Sequence, residues 1–203
     1  MNNYICINNQ KIELTEEQVK QIMAAQTIEG VKLMAWAPGA TVKIGGFEMV
    51  VLEQMEGQTA LILKGMYGED TEFGAKNNFY PDSYVDKKCQ EFAQQLSEIV
   101  GWDNIVLHQV DLTSDDGLKD YGTVERRASL ITAPMYRKYV EILDTINPKC
   151  WWWLATPHST QRHDNDAWAK CVSPSGYVYY GNFNGDFGVR PFCILKSDIF
   201  VSC

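Results

Sequence analysis

The stretch Trp151-Trp152-Trp153-Leu154-Ala155-Thr156, with the run Trp168 to Val172, the segment Tyr177-Val178-Tyr179-Tyr180 and the closing Gly188-Val189-Arg190-Pro191-Phe192-Cys193-Ile194-Leu195, decides how the chain is read. Successive side chains of a strand leave opposite faces, so Trp151 and Trp153 point one way and Trp152 and Leu154 the other. Both faces then need cover. This places Trp151–Ala155 centrally in a sheet and reads all three tryptophans as packing. Trp168 to Val172 alternates again, and Ser173-Pro174-Ser175-Gly176 carries Pro second and Gly fourth, the pattern of a type I turn. A hairpin into Tyr177–Tyr180 follows.

Beyond that hairpin, Gly181-Asn182-Phe183-Asn184-Gly185-Asp186-Phe187-Gly188 has too many glycines and too few aliphatic residues for a core, so the segment is expected at the surface. Tyrosine offers contact area at low entropic cost with a polar tip, and Asn and Asp offer adaptable hydrogen bonds, so this is chemistry suited to binding. Arg190, in an apolar run, needs an acid or backbone carbonyls as partners and is read as structural. Cys171 and Cys193 on neighbouring strands, with His163, form an imaginable thiolate system, but core thiols are the simpler reading. The polar loop Thr156 to Asp166 gathers His158, His163, Asp164, Asn165 and Asp166, yet has no third His and no glycines to shape a cage, so no metal is assigned.

Upstream, Tyr4–Ile7 and Lys11–Leu14 flank an Asn-rich turn and read as a hairpin. Thr15 with Gln18 is an N-terminal capping pair, after which Val19, Ile22 and Met23 share one helical face. Residues 1–30 are too few to bury a core, so this hairpin-helix segment is expected to dock on residues 31–203 or on a second copy, giving a homo-oligomer. Thr41–Ile44, Phe47–Gln54 and Thr59–Leu63, separated by Gly turns, predict a three-strand meander, and residues 65–81 a long loop. Ser83 caps a helix whose apolar stripe is Val85, Cys89, Phe92, Leu96, Ile99 and Val100, stopped by Gly101. Ile105–Leu107 is a short strand and Leu112–Gly117 an acidic turn in which Asp115 and Asp116 lack calcium-loop spacing. Thr132 caps a second helix, with Pro134 in its first turn and Met135, Tyr139, Ile142 and Leu143 facing the core, ending before Asn147-Pro148.

The chain has 203 residues, 45% hydrophobic and 22% charged, enough for one sizeable core. A net charge of −8 repels phosphate backbones, so nucleic acid is excluded as a partner class. No basic n-region with an apolar h-region and no long apolar run occurs, so no signal peptide and no membrane insertion are expected. The six cysteines then read as free thiols, and the absence of any Cys-x-x-Cys pair argues against structural zinc.

Trp152-Trp153-Leu154-Ala155-Thr156-Pro157, Val172-Ser173-Pro174-Ser175-Gly176 and Gly188-Val189-Arg190-Pro191 before an apolar strand resemble C-type-lectin-fold domains of phage-encoded and gut-bacterial proteins. Relatives of that family include the variable proteins of diversity-generating retroelements and the formylglycine-generating enzyme. The resemblance covers about the last fifty residues by motif and the rest by layout. It implies an α+β, C-type-lectin-like fold with two helices beside a twisted antiparallel sheet, plus the N-terminal hairpin and helix. It also implies ligand-binding positions at Tyr177, Tyr179, Tyr180, Asn182, Phe183, Asn184, Asp186 and Phe187, with His163 and Asn165 beside them. Asn, Tyr, Asp, Phe and Gly are all reachable from Asn codons mutated at adenine, which fits a retroelement-diversified origin. The calcium-site motifs of animal C-type lectins and the paired active-site cysteines of the formylglycine-generating enzyme have no counterpart here.

The expectation is therefore a receptor-binding protein of phage or prophage origin, cytoplasmic or virion-associated, taking a protein or glycan ligand and using no cofactor. It is not expected to be an enzyme. A thiol-dependent enzyme using Cys171 or Cys193 with His163, and a structural virion component assembling through residues 4–26, are the competing expectations.

Overall fold

The computed structural model describes residues 4–7, 10–13, 15–18 and 30–202. Strands β1 (Tyr4–Ile7) and β2 (Gln10–Glu13) pair antiparallel with Ile7 opposite Gln10, which makes the expected N-terminal hairpin. Thr15 and Gln18 form the reciprocal cap: Gln18 N–H donates to Thr15 Oγ1 at 3.2 Å and Thr15 N–H donates to Gln18 Oε1 at 3.0 Å. The expected docking of this segment rests on Val19, Ile22 and Met23, which lie outside the described residues.

The rest is a mixed α+β architecture built mostly of antiparallel sheet. The meander forms as its Gly punctuation predicts, as β4 (Thr41–Ile44), β5 (Phe47–Met55) and β6 (Gln58–Leu63). Strand β3 (Val31–Lys32) precedes it, and β7 (Ile105–Val106), β8 (His108–Asp111), β9 (Thr123–Arg126) and β10 (Ala128–Ser129) follow. The C-terminal strands are β11 (Trp152–Pro157), β12 (Trp168–Val172), β13 (Val178–Asn182), β14 (Phe192–Lys196) and β15 (Phe200–Val201). The main sheet runs β10-β14-β6-β5-β4, with β7 also on β14; a second sheet runs β11-β12-β13. Pairing of β15 with β3 brings the chain end back to its residues 31 and 32.

Both faces of the main sheet are covered, which is why β5 and β6 read as continuous apolar runs rather than alternating ones. On one face Met49, Val51, Leu61 and Leu195 pack against Phe92, Ala93 and Leu96 of helix α1 (Tyr84–Val100). On the other, Val50, Leu52, Ile62 and Phe192 meet Trp152, Leu154 and Val172 together with Tyr136, Tyr139 and Leu143. Ser83 Oγ accepts from Asp86 N–H to cap α1, and Gly101, at φ 82°, ends it. Ile99, expected in the apolar stripe, is 47% exposed and lies against Gly45 in the β4–β5 turn.

Two differences from the sequence reading have local causes. The second helix breaks into α2 (Ala133–Lys138) and α3 (Val140–Thr145), because Tyr139 leaves helical geometry at φ −107° and ψ 17°. Its Oη donates to Glu53 Oε2 at 2.6 Å, which ties the break to β5. The β8–β9 hairpin is the second: both strands are short and polar, and only Val110 among their residues is fully buried.

Candidate functional site

Side chains alternate along β11 as expected, with Trp152 and Leu154 on the main-sheet side and Trp153 and Ala155 in a third cluster with Phe73, Tyr80, Cys171 and Val189. Trp151 is the correction. It lies one residue before the strand and is 37% exposed, so it is surface rather than packing. β11 is an outer strand of its sheet rather than the expected central one, and its free edge is covered by irregular main chain, with Trp153 N–H donating to Gly188 O at 3.0 Å and Ala155 N–H to Ile131 O at 2.9 Å. The opposite edge of this sheet is β13.

The Ser173–Gly176 turn forms as read, with Gly176 N–H donating to Ser173 O at 2.9 Å. It delivers Tyr177, Tyr179 and Tyr180 to the surface, 67%, 46% and 38% exposed. Tyr179 and Tyr180 are consecutive and leave opposite faces of β13, yet their rings stack at 4.8 Å and 5°. Since β12 fills the other side, the rings meet round the strand's free edge and shield it from edge-to-edge pairing. His158 extends the column, stacked on Tyr180 at 4.6 Å and 15°, and Trp168 meets Tyr180 edge-on at 5.6 Å.

A second arm of rings ties this surface to the core. Trp151 stands edge-on to Tyr179 at 6.1 Å and stacks on Phe187 at 5.6 Å, and Phe187 lies 4.4 Å from buried Trp153. Gly181 makes room for that arm: a Cβ there would collide with Phe187 Cε2 and lie 2.9 Å from Trp153 Cη2. Trp153 is fixed in turn by donating its Nε1–H to Thr71 O at 2.9 Å. The exposed rings are therefore held by a continuous aromatic path into the interior.

The sequence-named positions separate into two groups. Tyr177, Tyr179, Tyr180, Asn184 and Asp186 are exposed, and Asn182 is half-buried with its Oδ1 accepting from Asn184 N–H at 3.3 Å. Phe183 and Phe187 pack against the third cluster instead, which corrects their reading as displayed residues: each is an anchor that turns its ring inward. Phe183 also pins the segment through its main chain, donating to Ala167 O and accepting from Phe73 N–H, both at 2.8 Å. The side chain of His163 is held elsewhere, its Nδ1 3.0 Å from Asp116 Oδ2, and Asn165 touches the same loop through its backbone. Neither meets the tyrosine rings. Trp151, His158 and Trp168 join them beyond the positions expected to bind ligand; Trp151 stands in the Trp run, but His158 and Trp168 carry no local signal for this role.

The charged groups of the acidic turn behind the platform are paired, while His158 Nδ1 and Trp152 Nε1 are buried without a hydrogen-bond partner. Lys170, almost fully buried, donates to Asp115 Oδ2 at 3.0 Å while its Nζ sits 5.8 Å over the Tyr180 ring. Burial works against the Asp115 carboxylate, but Lys170 and Arg137 outweigh it and lower its pKa. Hydrogen bonds from Ser114, Ser159 and His163 hold Asp116 well below the usual carboxylate range. The acidic turn is thus a clamp on the 158–166 loop, and among the described residues no three His, Cys, Asp or Glu side chains group to hold a metal.

Arg190 takes the carbonyl alternative. It is fully buried, donates from Nε to Leu63 O at 2.7 Å and from Nη2 to Lys64 O and Ile146 O, and lies 5.2 Å from the Trp152 ring. Burial lowers its pKa to about 10. Cys171 and Cys193 do not face each other: they sit in separate clusters, on β12 and β14, and burial pushes each thiol up to about 12.

These features define an α+β chain with an anchored aromatic surface on the edge of its smaller sheet. Comparison with family models, with curated proteins and with solved structures finds no match to this chain. No helix among the described residues is long and apolar enough to cross a membrane.

Proposed function

We propose that this chain is a binding protein on a C-type-lectin-like scaffold, and that its ligand docks on the surface formed by Trp151, Tyr177, Tyr179 and Tyr180 with Asn182, Asn184 and Asp186 at the rim. One observation carries the reading: rings exposed by a third or more are held in place by the Trp151–Phe187–Trp153 path, so contact area is offered to solvent at little cost in ordering. The scaffold assignment draws support from the β15–β3 pairing of the domain's ends, from the helices α1 and α2–α3 on opposite faces of the main sheet, and from the separate β11–β13 sheet that carries the surface.

Binding rather than chemistry is favoured because the thiols of Cys171 and Cys193 are buried and protonated at neutral pH, and His163 is paired with Asp116. The phage or prophage setting, and diversification of the segment, rest on the resemblance of the closing motifs. A reverse transcriptase gene beside an imperfect repeat of the coding segment for Trp168 to Arg190 would support them, and its absence would leave a binder with a fixed surface.

The test is a selection with the whole chain on a glycan array and a random peptide display library, repeated with Trp151→Ser, Tyr177→Ser and Tyr179→Ser combined. The ligand selected by the native chain should be lost by the variant, which should keep one cooperative melting transition lowered by no more than about 10 °C. Undiminished binding by a folded variant would place the site elsewhere. Unfolding of the variant would make these rings structural.

A further inference from the structure

Resting on that reading, we infer that the ligand of the aromatic surface is a polypeptide segment bearing Lys or Arg side chains. The Tyr179–Tyr180 stack covers the free edge of β13, so a partner is met by ring faces and hydroxyls rather than by strand addition. The inner faces of that stack are taken by each other and by His158, and one face of Trp151 by Phe187, which leaves Tyr177, 67% exposed, the most open ring. Exposed electron-rich rings of this kind attract cations. The structure already contains one such pair, Lys170 over Tyr180.

Unpaired carboxylates outnumber unpaired cations in the segments that carry the rings. Asp186 is exposed and directly precedes Phe187. Asp144 is exposed, and its carboxylate lies against Gly176, the residue before Tyr177. Asp70 precedes Thr71, whose main chain pairs with Phe187; burial and then the Asp70 charge raise the Cys150 thiol next to Trp151. None of the three has an ion-pair partner among the described residues, whereas Lys170 is consumed by Asp115 and Arg190 is buried. Lys149, beside Trp151 in sequence, is the opposing cation. A cationic side chain placed over Tyr177 would therefore meet a ring face with the Asp144 carboxylate beside the neighbouring Gly176, on a chain whose net charge is −8.

The experiment uses fluorescence anisotropy with the whole chain and a labelled ten-residue peptide of alternating Arg and Gly. Its controls are the isosteric citrulline–Gly peptide and maltohexaose as an uncharged glycan. The Arg peptide should bind, weaken with added salt, and lose about fivefold in affinity with Tyr177→Leu, which keeps apolar bulk but removes the ring. Asp186→Asn and Asp70→Asn should each weaken it about threefold, and Glu98→Gln on α1 should not. Equal binding of the citrulline peptide, equal losses with Glu98→Gln, binding of maltohexaose in its place, or no Arg-peptide binding up to about 1 mM would each overturn the inference. In that event, a selected ligand still lost by the Trp151, Tyr177 and Tyr179 variant would leave the binding reading standing.

Discussion

Replacing Gly181 by Ala tests how the exposed rings are anchored. The added Cβ would collide with Phe187 Cε2 and approach Trp153 Cη2 to 2.9 Å. Trp153 is fully buried and tied to Thr71 O, so Phe187 is the ring that must give. Overpacking of this kind costs about 1–3 kcal/mol, offset by roughly 0.5–1 kcal/mol from the smaller conformational freedom of Ala in the unfolded chain. The net expectation is a loss of about 1–2 kcal/mol in urea unfolding followed by tryptophan fluorescence, with an unchanged m-value. Phe187→Leu removes the closer of the two contacts and leaves the one to Trp153, so Gly181→Ala should cost less in that background than in the parent, with a coupling on the order of 1 kcal/mol. A Gly181→Ala chain as stable as the parent, or equally destabilised in both backgrounds, would refute the anchoring argument.

Further outcomes follow from buried polar groups. His108 is kept neutral by burial, its pKa lowered from 6.5 to about 4; an unfolded His takes up its proton near pH 6.5, so this contribution to stability is complete above that pH. It should then be lost as the pH falls from about 6.5 to about 4, reaching roughly 3 kcal/mol, and His108→Gln should flatten that slope in unfolding curves. Asp86 is 1% exposed and accepts from Arg126 Nε and Nη2 at 2.7–3.1 Å, so Asp86→Asn should cost about 3 kcal/mol in chemical denaturation. A loss below 1 kcal/mol would mean the pair is solvated. Cys171 and Cys193 should label with maleimide only as the chain unfolds, since burial holds their thiols near 12; rapid labelling of either at neutral pH would revive the thiolate alternative.

What could be read in advance depended on how local the signal was. The β4–β5–β6 meander, α1 with its Ser83 cap, and the β12–β13 hairpin are set by turn chemistry and periodicity within a few residues. The β8–β9 hairpin joins two short polar strands across a long loop and has no such signal. Trp151 and Trp153 share a face by alternation, but alternation does not say where the strand begins, and Trp151 falls outside it. Composition likewise does not separate Tyr179 from Phe187: one ring goes outward and the other inward because Gly181 leaves a notch beside Trp153. His158 joins the tyrosine column only because the clamp of Ser159 and His163 on Asp116 positions its loop.

The proposed ligand site is the ring-bearing edge of the β11–β13 sheet. Amide hydrogen exchange of the whole chain, with and without the ligand it selects, tests this most directly. Protection should be concentrated at Trp151 and Tyr177–Asn184. Protection confined instead to the groove between Lys43–Gly45, Ile99 and Phe200–Ser202, with Tyr177–Asn184 unchanged, would contradict it.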